Sequence, residues 1–495
     1  MKHTYLKGTL LVVSSVFFLV LGNSCKKMLN LEPSNQVSNS QAFNTKNDFD
    51  NAIRGVYRMM IAPRGSESYS SYYGGADGFS AVAGPDILSD NLTMFSLGRT
   101  SGSAFHNFLL SGNSTTSFFQ DGYAIIRSAN AVLDNLGNLG TDPAVANYKG
   151  QALAVRGLVY FDLMRMFAKT PTGAGAADLG VPLVLKVTDY TDRPKRDLAG
   201  AVYAQIESDL KASASLISAT NGVEQMNQAA VYGLLSRLYL YEAKYPEALA
   251  AANSALAISS NPGTLATFPS IWTDASDAGV LFKLKITATT VDNGGSYINI
   301  GVGYGQSSGS GDRAEYVPAY NFAAMFKTND IRRNSYFRHG FFSGDSILYV
   351  KKYAGKATGN QNLVDVKLIR VAEVLLNKAE AAYNTGDQLT ALSTLNTLRS
   401  NRYTGFIPGV EAGASLLTAI LLERRLEMAF EGQRFYDLKR LNLAVLRSTT
   451  YGDQLTGIGK VDDLTTLAAG DYRFQLPIDM NTLNSNTNLL QNPGY

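Results

Sequence analysis

One cysteine, Cys25, stands in 495 residues, so no intramolecular disulfide can form and packing alone must hold the fold. Its position is as telling as its isolation. Lys2 and Lys7 flank the start of a short apolar run, Leu10 to Leu21, broken only by Ser14 and Ser15. Gly22, Asn23 and Ser24 follow as small or polar residues. This is the pattern of an export signal, and the run is short for a transmembrane helix. Cys25 then reads as the residue that becomes the new N-terminus and carries lipid, as in bacterial lipoproteins. The alternative is a plain secretory signal with a stray cysteine.

Taking residues 1–24 as signal peptide removes Lys2 and Lys7 from the 44 basic side chains, leaving 42 against 41 acidic ones. Such a balance offers no basic stripe for nucleic acid and no polybasic tail for anionic lipid. With 45% hydrophobic and 17% charged residues, a large core can be buried. No second hydrophobic span follows, so membrane attachment is expected through acyl chains, each buried methylene contributing about 0.8 kcal/mol. The aromatic balance is uneven, with 27 Tyr and 23 Phe but one Trp. Tyrosine in that number suits broad, half-wet contact surfaces, although the same rings also fill cores.

Residues 25–45 are polar and aperiodic and read as a tether. Helical periodicity begins near Asp48, with Phe49, Ile53, Val56, Tyr57 and Met60 on one face. A long Gly-, Ser- and Tyr-rich stretch follows, from about Ala62 to Ser117. Helices are expected over Phe118–Leu136, Asn147–Ala168 and Leu198–Ile217, with a short extended piece at Val181–Leu185. Residues 229–258 and 368–399 each read as a helix pair, turning at Tyr245-Pro246 and Gly386-Asp387. Their large and small residues fall at tetratricopeptide-like offsets, Tyr232, Leu235, Tyr239, Ala248 and Ala255 in the first pair. A generic helical hairpin is the alternative. Val280–Ile286 alternates like a strand, and residues 287–321 form a second Gly- and Tyr-rich region. The expected fold is mainly α, built of tetratricopeptide-like helical pairs with minor β and two long irregular regions. One body spans 46–495, with an N-terminal part to about 220 and a C-terminal part from about 280.

Catalytic and cofactor motifs are poorly supported. Gly301, Gly303 and Gly305 lack the spacing of a dinucleotide loop, and Gly355-Lys356 is followed by Ala357 rather than Ser or Thr. His106 and His339 stand far apart in no ligand-like spacing, so neither a metal nor a cofactor is expected. No Gly-x-Ser-x-Gly elbow supports a nucleophile. The densest charge cluster is Glu423, Arg424, Arg425, Glu427, Glu431, Arg434, Asp437 and Arg440. Read as one helix, it stacks three glutamates a turn apart, with the interleaved arginines as their partners. A glycosidase would need carboxyls facing each other across a sugar, about 5–9.5 Å apart. Neighbours pointing outward from one helix do not meet that need, so an ion-pair network is the expectation.

That cluster also carries a resemblance. Leu422 to Glu427, then Glu431-Gly432-Gln433-Arg434-Phe435-Tyr436-Asp437-Leu438-Lys439-Arg440, resembles the C-terminal signature of the SusD/RagB family. So does the ending, Leu476-Pro477-Ile478 with Gln491-Asn492-Pro493-Gly494-Tyr495. Matches upstream include Arg370 to Ala381, Leu235 to Tyr241, Phe119 to Asn130, and Arg156-Gly157 with Tyr160-Phe161. The resemblance implies an outer-membrane, cell-surface lipoprotein that is not an enzyme. It further implies four tetratricopeptide-like pairs on one side and a TonB-dependent transporter as partner, with glycans or sometimes peptides as cargo.

Ligand sites in the family come from irregular loops, so candidates are taken by position. The first loop offers Tyr69, Tyr72, Tyr73, Phe79, Asp90 and Asn91, and the second Tyr297, Tyr304 and Tyr316. Aromatic faces stack on sugar rings, while Asp and Asn bond hydroxyls. The alternative is that these rings pack the loops onto the body. Trp272, in Phe268-Pro269-Ser270-Ile271-Trp272, is expected in the core, and the lack of another Trp weakens a polysaccharide reading. The functional expectation is glycan capture and delivery to the transporter. Its rivals are a peptide or glycoprotein-fragment binder, a transporter lid with little ligand affinity of its own and, more distantly, a surface hydrolase.

Overall fold

The computed structural model describes residues 42–61, 72–75, 80–94, 106–108, 118–189, 191–287, 300–305, 307–308, 311–312, 315–342, 344–356, 363–447 and 464–495. Cys25 and the expected signal and tether therefore lie outside the described residues, except for the last few tether positions. Among the described residues no helix is long and apolar enough to cross a membrane.

Helices dominate and stack in sequence order. The first, α1 (Lys46–Ile61), buries the five residues expected from its period. Its start is fixed locally, because the Asp48 carboxylate accepts from the Thr45 backbone N–H at 2.7 Å and its hydroxyl at 2.8 Å. Then come α2 (Phe118–Asn135), α3 (Ala144–Phe167) and α4 (Ala199–Leu216). The first pair of the repeat-like type is α5 (Gln228–Tyr241) with α6 (Tyr245–Ile258). The second is α7 (Val371–Asn384) with α8 (Gln388–Ser400), and α9 (Ala414–Glu427) and α10 (Arg434–Arg440) follow. From α1 to α9 each helix packs on the next, and α6 on α7 joins the two pairs across the intervening chain.

The center of the stack is α3, buried nearly all round. It can lie close to α4 because Gly150 has no side chain; a Cβ there would sit 2.8 Å from the Ile217 backbone. The turn between α5 and α6 lies one step before its expected place. Ala243 takes the left-handed conformation (φ 53), and Tyr245-Pro246 already opens α6. Between α7 and α8, Gly386 (φ 87) makes the turn, and Asp387 caps α8 by accepting from Thr390 N–H at 3.0 Å.

Strands are short. β1 (Leu92–Met94), β2 (Val280–Leu284), β3 (Tyr316–Pro318), β4 (Phe337–Phe342), β5 (Asp345–Val350) and β6 (Val366–Arg370) form three antiparallel pairs, β1 with β3, β2 with β6 and β4 with β5. The pairing of β2 with β6 corrects the expected start of the second helix pair, since Leu368 to Arg370 is strand rather than helix. The expected extended piece at Val181–Leu185 is not a strand, and only an isolated bridge joins Leu179 to Leu198 nearby. One hydrophobic cluster runs from Phe49 to Leu489. Trp272 belongs to it, 2% exposed, with the Lys352 ammonium 4.3 Å from its ring center.

Candidate functional site

The two irregular regions meet. Leu92 to Met94 pairs with Tyr316 to Pro318, and Ile300 N–H donates to Gly74 O at 2.8 Å. The β4–β5 hairpin joins the same layer, with Val317 of β3 packing against Ile347 and Tyr349 of β5. Loop residues far apart in sequence are therefore brought into one layer.

The layer is mounted on the charged signature. Asp86 accepts backbone N–H bonds from Gly432 at 2.6 Å and Phe430 at 3.3 Å. Phe430 (φ 65) and Gly432 (φ 71) both turn left-handed there. Only glycine fits at 432, because a Cβ would lie 2.6 Å from Ala81 O. Asp90 receives a two-pronged bond from Arg434 at 2.7 and 2.9 Å. Arg425 adds bonds to Asn91 Oδ1 at 2.9 Å and Asp90 O at 3.0 Å. Burial opposes ionization of Asp90, but Arg425 and Arg434 outweigh it and hold the carboxyl below its ordinary range. Asp86 goes the other way. Its burial exceeds the help of the Gly432 N–H and Lys352 and pushes it up to about 7.

The charge cluster is an ion-pair network, as expected, but not with the expected partners. Helix α9 stops at Glu427, so Glu431 sits in the following turn and the three glutamates do not continue one helical row. All three are buried rather than outward-facing. They bind arginines from elsewhere in the chain. Glu423 takes Arg332 at 2.6 Å. Glu427 takes Arg402 and Arg370, each at 2.8 Å. Glu431 takes Arg370 and Lys352, each at 2.5 Å. The interleaved arginines turn away from these glutamates. Arg424 goes to Asp437 at 2.9 Å, Arg440 to Glu380 at 2.5 Å, and Arg425 and Arg434 to the loop root. Carboxylates so fully engaged leave no acid and nucleophile facing an open cleft.

The nine ligand candidates fall into two groups. Tyr69, Phe79 and Tyr297 lie outside the described residues. The other six are brought to the root of the layer, but all are buried. The Tyr72 ring stacks on Phe118 at 4.3 Å between centers, and the Tyr73 hydroxyl donates to Asp162. Tyr304 stacks on Tyr353 at 5.6 Å and meets Tyr316 edge to face. Asp90 and Asn91 are held by Arg434 and Arg425. These six are the packing that fastens the loops, and in this arrangement none offers a ring or carboxylate to solvent.

Exposed groups on the layer were missed at the sequence level. Phe341, 71% exposed, and His339 project from the same side of β4. The sequence does carry a signal for them, two runs rich in aromatic and β-branched residues joined by Ser343-Gly344, which is a hairpin pattern. His106 is buried, its Nδ1 2.6 Å from Ile87 O. No group of side chains suited to a metal occurs among the described residues.

Comparison with known proteins agrees with this architecture. A model of the SusD family matches residues 327–495, and one described as starch-binding, associating with the outer membrane, matches residues 31–240. The SusD-like proteins P38 and P2 of Formosa agariphila are 24% and 26% identical, over 87% and 92% of this chain and 92% and 93% of their own. A putative sugar binding protein from Bacteroides vulgatus superposes with TM-score 0.79 at 28% identity, covering 92% of this chain and 99% of its own. A SusD superfamily protein from Bacteroides thetaiotaomicron gives 0.78 at 24%, covering 90% and 99%, which supports the fold. With both halves matched and the signature residues 423–440 gripping the loop layer, the chain belongs to the SusD/RagB family.

Proposed function

We propose that this protein is a cell-surface lipoprotein, anchored through Cys25, that captures a glycan and passes it to a TonB-dependent outer-membrane transporter. The observation that carries the reading is the layer itself. Two irregular regions are drawn together on a rigid helical stack, and an exposed aromatic ring, Phe341, stands on that layer. An open phenyl face matches the apolar face of a sugar ring, and His339 beside it supplies a hydrogen-bonding edge. The starch-binding description of one matching family model and the sugar-binding title of one structural relative point the same way. Tyr69, Phe79 and Tyr297, which lie outside the described residues, are proposed as further ligand contacts. The role is binding, with no catalytic step assigned to any residue.

The test is retention of the soluble 26–495 chain on a panel of immobilized polysaccharides and peptide digests. Selective retention on one glycan, weakened by Phe341→Ala without loss of thermal stability, is the expected result. Retention by peptides alone would replace the cargo class, and none at all would favor a transporter lid. Delivery is checked separately by co-purification with a barrel protein from membranes. Cys25→Ala should release the chain from the membrane fraction.

A further inference from the structure

Away from the aromatic layer, a pocket of about 400 Å³ opens at the C-terminal end of α3. Its walls include Lys169, Thr172, Lys439, Asn442, Asp471 and Gln475. That volume lies within the usual span for small-molecule sites, roughly 300–1,000 Å³.

Lys439 sets the pocket apart. Its ammonium donates to Arg165 O at 2.7 Å and Ala168 O at 2.6 Å, so it caps α3. An ammonium has three protons, and the third has no partner among the described residues. Other enclosed lysines reach carboxylates: Lys352 reaches Glu431, Lys367 reaches Asp274, and Lys283 reaches Asp365. Lys439 reaches none. Burial, with Arg165 nearby, pushes it down to about 7, which an anion in the pocket would reverse.

The acid in the wall does not fill that role. Asp471 is held by Arg473, at 2.9 Å from Nε and 2.8 Å from Nη2. Lys169 and Arg440 are already matched, by Asp178 at 2.8 Å and Glu380 at 2.5 Å. The same pocket wall carries Thr172, Asn442 and Gln475, whose side chains make no hydrogen bond among the described residues. One unneutralized cation beside several free hydroxyl and amide groups matches a small molecule with one carboxylate and several hydroxyls. We infer that this pocket binds a sugar acid, its carboxylate on Lys439 and its hydroxyls on Thr172, Asn442 and Gln475. The inference goes beyond the proposed glycan capture and does not use the aromatic layer.

The test is calorimetric titration of the full mature chain with sodium D-glucuronate and with D-glucose at low salt. Glucuronate should bind saturably and at least about tenfold more tightly than glucose. Lys439→Met should abolish this binding, but it also uncaps α3, so the decisive variant is Asn442→Asp. Position 442 is exposed and left-handed (φ 51), a conformation Asp adopts much as Asn does, so the fold is kept while a negative charge enters the pocket. A loss of about tenfold or more in N442D, with Phe341→Ala unchanged, supports the assignment. Equal binding of glucose, no effect of N442D, or loss in Phe341→Ala would overturn it. Because the layer is tested by Phe341→Ala on polysaccharide, failure here leaves the capture reading standing, and the reverse holds.

Discussion

Two carboxyls at similar depth, Glu427 in the helical stack and Asp86 at the root of the loop layer, are treated in opposite ways. Burial works against the charge of Glu427, yet Arg402, Arg370 and Arg332 surround it and hold it well below the usual carboxylate range. Asp86 has two backbone N–H donors and one more distant lysine, and burial wins. Glu427 is thus fully matched, whereas the loop layer is fastened by one matched carboxylate, Asp90, and by one, Asp86, that is only partly compensated. A scaffold can be rigid at little electrostatic cost if every charge has several partners. At Asp86 fewer charged groups are within reach.

Breaking the matched side should have the largest effect. Glu427→Gln leaves three buried arginines without their shared carboxylate and should cost about 3–5 kcal/mol or more, seen as a collapse of the urea midpoint. The partly compensated side is exposed by pH. Asp86 has a native pKa of about 7, above its ordinary value of 3.8, so the native state holds more protons than the unfolded state between those limits. Its unfavorable contribution therefore grows as pH rises from about 4 to about 7 and then levels. Asp86→Asn should gain on the wild type by about 2–4 kcal/mol across that window, read from paired melts at pH 4.5, 6 and 8. A flat difference would mean that Lys352 compensates Asp86 fully.

Gly432→Ala should cost about 1–3 kcal/mol through its left-handed backbone and the close Ala81 carbonyl. Protease nicking of residues 62–117 should rise in this variant before the helical stack unfolds. Phe341→Ala should be the mildest for stability, within about 0.5 kcal/mol. A stacked ring contributes about 0.5–1.5 kcal/mol, so glycan retention should weaken roughly two- to tenfold.

How much could be read in advance follows the range of the forces involved. The buried face of α1 and the two helix pairs were legible because a helix writes its burial in a local period. Trp272 was expected in the core because members of the resembled family tend to carry a buried aromatic in that segment, and it lies there. The start of α7 was misread because Leu368 to Arg370 is strand only by virtue of β2, which lies well upstream in the chain. The signature glutamates were recognized as ion-paired, but their partners, Arg332, Arg370 and Arg402, come from segments the local charge pattern does not reveal. Tyr72, Tyr73, Tyr304 and Tyr316 were candidates by position alone, with packing onto the body as the alternative. In space they face Phe118, Asp162 and Tyr353, and that distinction is not local. Phe341 was passed over because the hairpin pattern around Ser343-Gly344 went unread, and that pattern alone does not say which of its rings faces solvent.

The grip of Gly432 and Arg434 on Asp86 and Asp90 also has a consequence in time. A chain that emerges N-terminus first presents residues 80–94 early, but their clasp, 425–434, comes more than three hundred residues later. The helices α1 to α6 can assemble from near neighbors while the first loop waits, unfastened, for the end of the chain. Truncation before residue 425 should therefore free a segment made hundreds of residues earlier, seen as faster proteolysis of residues 80–94 while helices α1 to α6 stay protected.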